Sequence, residues 1–229
     1  YYSRHNSSKK IKEQIKWTNK YKEDLWMKIV KNKILKQNLM LNKIKNDKYE
    51  LLNSYIDEVV SGDKTNREGH AAKVYFNALF GKDFVRNNND NINAALNYGY
   101  AILLSTINKE VIASGYLTQL GIHHKNEFNE FNLSCDLMEP FRVIVDNFVY
   151  FNQERELNTN YKLDIVNILN NTYKYQNKSY TLKDIIGLFV KNTLNNIDNT
   201  DEYKDKFSFS CIFIISSKNN GYSFLHSNK

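Results

Sequence analysis

A single proline, Pro140, and eight glycines interrupt a chain of 229 residues. Folds rich in tight turns need far more of these breakers, which excludes a β-sandwich or a Gly-rich dinucleotide fold and leaves long helices as the expected solution. The apolar residues, 41% of the total, suffice for one sizeable core or two modest ones. Their spacing agrees. Helices are predicted over 8–20 and 22–46, the second carrying Leu25, Trp26, Ile29, Val30, Ile34, Leu35, Leu39 and Met40 near the helical repeat, with lysines opposite. A third, over 48–60, bears Leu51, Leu52, Tyr55, Ile56, Val59 and Val60 and stops at Ser61, Gly62 and Asp63.

Further along, Asn66 is a predicted cap for a helix over Arg67–Phe80, with Gly81 as its stop. Asp90 or Asn91 caps the next, over 92–116, where Ala94, Ala95, Tyr98, Ala101, Ile102 and Ser105 suit close packing at the centre of a bundle. A helix over 134–151 takes Pro140 in its early turns, where the ring disturbs pairing with the carbonyl of Asp136 and a bend is expected. After a short helix over 163–169, residues 172–175 and 179–181 read as a hairpin, and Thr181 caps a helix to about Asn195. Residues 207–216 are β-like but have no periodic context. The expected class is all-α, a helical bundle with at most a short β-hairpin late in the chain. Its organisation reads as a basic helical segment at 1–62, a core at 63–198 and a tail at 199–229.

The net charge of +7 is unevenly spread. Residues 1–48 hold thirteen lysines and Arg4 against four acids, an excess of ten positive charges, whereas the remaining 18 basic and 21 acidic residues leave −3. A basic end on a slightly acidic body points to a polyanion, nucleic acid first, although the same lysines also read as a solvated helix face. Cys135 and Cys211 are too few for a disulfide framework, no charged-then-apolar leader opens the sequence, and no apolar run approaches the ~20 residues of a membrane span. A cytoplasmic protein without a membrane partner is expected.

Three segments combine chemistry with local cost. Asn66, Arg67, Glu68, Gly69 and His70 put a carboxylate and a guanidinium at a helix start, which also serves simple capping. His123 and His124 sit in a polar loop with Asn126, Asn129 and Asn132, where imidazole is either a metal ligand or merely solvated. Asp136 and Glu139, three apart, share a helix face and repel unless a cation intervenes, and Arg142, three further on, is one candidate for that cation. Two glutamates and a histidine from separate segments match an oxygen-rich site for Mg2+ or Mn2+ of the kind that phosphodiester chemistry uses.

The same segments, NREGHAAKVYFNALFG at 66–81, INAALNYGYAILLS at 92–105 and LGIHHKNEFNEFNLSCDLMEPFR at 120–142, resemble the C-terminal catalytic domain of the CRISPR-associated integrase, protein one of the adaptation machinery, in its type II-like form. The resemblance implies an all-helical domain whose metal ligands and catalytic residues are Glu68, His124 and Glu139, with Mg2+ or Mn2+ as cofactor and Asp136 close by. It implies a β-rich N-terminal domain, involved in dimer formation, ahead of the point where this sequence begins and absent from it. It also implies an endonuclease and integrase that joins the 3′-hydroxyls of foreign double-stranded DNA fragments to a CRISPR repeat by transesterification, and that runs the reverse disintegration. Arg67, Arg142 and the lysines Lys28, Lys31, Lys36 and Lys43 would hold DNA phosphates. The implied partners are a second copy of the chain, the smaller adaptation protein two and the type II effector nuclease. The alternative reading is a non-catalytic helical fragment that binds DNA or serves assembly.

Overall fold

The structure, a computed structural model, describes residues 7–175, 178–198 and 214–215. Nine α-helices occupy the described residues: α1 (Ser7–Ile15), α2 (Asn19–Lys43), α3 (Tyr49–Glu58), α4 (Arg67–Phe80), α5 (Asn91–Ala113), α6 (Asn132–Met138), α7 (Arg142–Tyr150), α8 (Thr159–Asn167) and α9 (Leu182–Asp198). Sequence-local chemistry explains most of their ends. Thr18, Asp90 and Asn158 each accept from the backbone N–H three residues on, which satisfies donors that have no partner within the helix. Gly81 closes α4 at φ 99°, a backbone angle that other residues adopt at a cost. None of the described helices is long and apolar enough to cross a membrane.

Helix α2 is the axle. It packs against α3, α4, α6, α7 and the turns between them, burying Leu25, Trp26, Ile29, Val30, Ile34, Met40 and Leu41. Such side chains contribute about 1.5–3 kcal/mol each when fully removed from water. The expectation of an outward lysine face fails here, because α2 is covered on several sides. Lys36 is itself buried, donating to the carbonyl of Pro140 at 2.8 Å.

Helix α5 is the second central element, against α6, α7, α8 and α9. Its buried face matches the predicted one only in part: Ala95 is buried, with Asn93, Leu96, Gly99, Tyr100, Leu103 and Ile107, and Ala94, Tyr98 and Ile102 are half-buried, whereas Ala101 and Ser105 are exposed. Gly99 permits the close approach of α7, since a Cβ there would meet Val145 Cγ1 at 2.4 Å. Pro140 has the expected effect. The predicted 134–151 helix is divided by a 3-10 turn at Glu139–Phe141 into α6 and α7, with the proline near the start of the turn, where its missing N–H costs little.

The late hairpin is also present. Strands β1 (Thr172–Tyr175) and β2 (Lys178–Thr181) pair antiparallel with Tyr173 opposite Tyr180, and β3 (Ile214–Ile215) adds to the free edge of β1. The rest of the β-like stretch at 207–216, like most of the tail, lies outside the described residues. Thr181 accepts from the N–H of Asp184 and starts α9, whose Leu182, Ile185, Ile186, Val190 and Leu194 are buried. Phe189 meets Phe141 edge to face at 5.1 Å, joining the C-terminal helix to the turn that carries Glu139.

Candidate active site

Glu68 owes its position to an acid that the sequence pattern did not single out. Asn66 adopts a left-handed backbone, φ 52°, and makes no side-chain cap, so the predicted cap is corrected. Asp63, also at positive φ after Gly62, accepts from the N–H groups of Arg67 at 2.9 Å and Glu68 at 3.0 Å. The start of α4 is thereby fixed, and Glu68 projects from its first turn.

Glu139 comes from the 3-10 turn and is only 4% exposed. Between the two glutamates lies Lys33 of α2, its Nζ 2.6 Å from Glu68 Oε1 and 2.5 Å from Glu139 Oε2. Arg142 Nε donates to the other oxygen of Glu139 at 2.8 Å. Burial alone would raise the pKa of Glu139, but Lys33 and Arg142 outweigh it and bring the carboxyl down to about 2. Burial likewise opposes charge on Lys33, and Glu139 and Glu68 overcome it, holding the amine cationic. The anticipated Asp136–Glu139–Arg142 cluster is therefore resolved differently: Arg142 serves Glu139, and Asp136 faces elsewhere.

Asp136, fully buried, organises the histidine loop. Its carboxylate accepts from the backbone N–H groups of Ile122, His123 and His124 at 2.6, 3.0 and 3.1 Å, and it pairs with His124 Nδ1 at 2.6 Å. Gly121 is required at the entry to this nest, because a Cβ there would lie 2.4 Å from the His124 carbonyl oxygen. Asn132 spans the loop by donating to the carbonyls of Gln119 and Asn126, so the asparagines noted in the sequence are scaffold. With Nδ1 committed to Asp136, Nε2 is the nitrogen His124 has left to offer. The Asp136 bond raises the pKa of His124 against the effect of burial, and Glu139 and Glu68 act in the same direction. His123 has another task, stacking flat on Trp26 at 4.2 Å.

Glu68, Glu139 and His124 thus share one electrostatic region and have the donor types of an Mg2+ or Mn2+ site. The two carboxylates already converge on a cation, the ammonium of Lys33, and in this respect the residues fit such an ion. Among the described residues, however, no three His, Cys, Asp or Glu side chains gather closely enough to enclose a metal as they stand. Lys33 escaped the sequence reading because it was one lysine of thirteen. Its signal was positional: it falls on the apolar stripe of α2, four residues after Ile29 and seven before Met40.

The other nominated DNA contacts are less open than expected. Arg67 pairs with Glu58 at 2.8 Å and lies over the Tyr55 ring, and Arg142 lies over Tyr100 as well as bonding Glu139. Lys28, Lys31 and Lys43 are half-buried, and burial brings the amine of Lys43 down to about 8. Lys36 is a strut under Pro140, donating to its carbonyl, and is only 7% exposed.

Fold and site together define a class, a helical domain in which a cation-bridged glutamate pair adjoins an aspartate-anchored imidazole. The chain belongs to the family of CRISPR associated protein Cas1, whose model matches residues 1–165 and so includes all of these side chains. It is 42% identical over 143 residues to the CRISPR-associated endonuclease Cas1 of Neisseria meningitidis serogroup C, a match covering 62% of this chain and 47% of that protein. The chain therefore spans about half the length of that relative. In fold it is similar to a casposase bound to integration product, with a TM-score of 0.72, 22% identity and coverage of 89% of this chain and 73% of that one. It is also similar to a chain of a partial Cas6-RT-Cas1–Cas2 complex, with a TM-score of 0.70, 18% identity and coverage of 85% and 71%.

Proposed function

We propose that this chain carries the catalytic centre of a metal-dependent DNA integrase and endonuclease of CRISPR adaptation. The observation that carries the reading is the convergence of Glu68 and Glu139 on one cation beside an imidazole held by Asp136. In the proposed reaction a 3′-hydroxyl oxygen of a foreign DNA fragment forms a bond to a phosphorus of the repeat. The bond from that phosphorus to its 3′-oxygen breaks, and the proton of the attacking hydroxyl is given up as the leaving oxygen gains one. No external oxidant or nucleotide is consumed. A bound Mg2+ or Mn2+ would lower the pKa of the attacking hydroxyl and stabilise charge on the phosphate.

The chain's own part is to hold and orient. Glu68, Glu139 and Nε2 of His124 would bind the ion. Arg142 neutralises Glu139, and Asp136 fixes the ring orientation and tautomer of His124. Double-stranded DNA, a second copy of the chain and the smaller adaptation protein two, the Cas2 of the complex similar in fold, are the proposed partners, in the cytoplasm.

The test is disintegration of a branched duplex in Mn2+, a reaction that needs only one centre. Wild type should resolve the branch, and Glu68→Gln and Glu139→Gln should each reduce the rate to background while leaving helical content unchanged by circular dichroism. Duplex binding with no strand transfer by wild type would favour the non-catalytic assembly reading instead.

A further inference from the structure

Glu68 and Glu139 approach from α4 and from the 3-10 turn, and nothing in either element obliges two carboxylates to face one another. Like charges at such separation are unfavourable unless a cation lies between them. Lys33 supplies it from the middle of α2, where its ammonium contacts both acids closely, at 2.6 and 2.5 Å, and its side chain is 13% exposed. The surrounding elements leave it little choice of partner, since its neighbours on the stripe are Ile29, Val30 and Ile34, all fully buried. The set of Glu68, Glu139, Lys33 and Arg142 is formally neutral, two carboxylates against two cations.

We infer that Lys33 is a resident counter-ion of the active site, occupying the cation position between Glu68 and Glu139 and yielding it when a divalent metal binds. The inference rests on the proposed metal-dependent function and adds to it a residue and an exchange. Ammonium and metal are mutually exclusive occupants of one carboxylate pair. A divalent ion entering beside an ammonium that stayed in place would meet twice the repulsion of a monovalent one, with both carboxylates already engaged. The lysine keeps the glutamates preassembled, at the cost of competing with the metal they are assembled to receive.

Competition and support predict opposite signs. Calorimetric titration of the whole chain with Mn2+ should show Lys33→Met binding at least tenfold more tightly than wild type, because the carboxylate pair loses its competitor and gains unbalanced charge. Lys33→Arg, which keeps the positive charge, should bind no more tightly than wild type. The gain in Lys33→Met should vanish when Glu139→Gln is added. Equal or weaker binding by Lys33→Met would overturn the inference while leaving metal dependence intact, whereas Mn2+ binding by neither protein would overturn both. A second measurement uses wild type alone, so that misfolding of a variant cannot obscure the result. Reductive methylation read by mass spectrometry should find Lys33 protected without metal and reactive when Mn2+ is added. Labelling of Lys33 that Mn2+ leaves unchanged would refute the exchange.

Discussion

The carboxylate half of the site and the imidazole half are held by different kinds of partner. Glu68 and Glu139 meet the side-chain cations Lys33 and Arg142, long groups that can move and be replaced. His124 is held by Asp136, which is itself gripped by three backbone N–H groups of a loop that Gly121 and Asn132 keep closed. Side-chain ion pairs can exchange partners without refolding, whereas a carboxylate in a backbone nest cannot leave without undoing the loop. One half is built for exchange and the other for position.

The largest effect should therefore come from the fixed half. Asp136→Ala deprives three backbone donors and the imidazole of their acceptor at a fully buried position, and the expected cost is about 3–5 kcal/mol of folding stability. Urea denaturation followed by circular dichroism measures it. Gly121→Ala should cause a related loss, because the added Cβ collides with backbone that has no room to give. A loss below about 1 kcal/mol in Asp136→Ala would mean that the loop has other supports and that the contrast between the halves is false.

The two adjacent histidines test the same contrast within one loop. His124→Ala removes the nitrogen that Asp136 orients and should lower the disintegration rate on the order of 10³-fold with little loss of stability. His123→Ala removes a ring stacked on Trp26, which should cost about 1 kcal/mol of stability and leave the rate within a few-fold of wild type. Equal rate losses in the two variants would remove the distinction drawn from their hydrogen bonding.

What was legible in the sequence was chiefly what is decided locally. The stop at Gly81, the caps at Asp90 and Thr181 and the break at Pro140 follow from the backbone chemistry of single residues, and each falls where expected. What was not legible was decided by neighbours distant in sequence. Asn66 has the composition of a cap, but the positive φ of Gly62 and Asp63 turns the chain so that Asp63 makes the bonds. The buried face of α5 includes Asn93, whose amide is satisfied by Asp90, Arg86 and the carbonyl of Val85, partners that composition alone does not reveal. The lysines of α2 read as phosphate-binding or solvated because charge is counted along the sequence, and only the packing of α4 and the Glu139 turn reveals that Lys33 pairs inside.

The last comparison sets side by side two buried carboxylates a short distance apart on the chain. Glu139 has two cations and titrates low, while Asp146, on α7, has as its closest partner the hydroxyl of Tyr100, which donates to it. Burial pushes Asp146 up to about 6, against the opposing pull of Tyr100, Arg142 and Lys33 and of the nearby Tyr75 hydroxyl. A folded-state pKa above the unfolded value of 3.8 means that the native state binds the proton more tightly. The stability this contributes is full below about pH 4 and is lost as pH rises through about 6, a change of about 3 kcal/mol for a shift of about two units. Asp146→Asn removes that titration while keeping an oxygen that can accept from Tyr100. The stability of the variant relative to wild type should accordingly rise between pH 4 and pH 7, with carboxylates common to both proteins cancelling in the difference. Urea midpoints at pH 4, 5, 6 and 7 give the comparison. A difference that stays flat across that range would show that Asp146 ionises as an ordinary carboxylate, and that burial without a directly bonded cation does not separate it from Glu139.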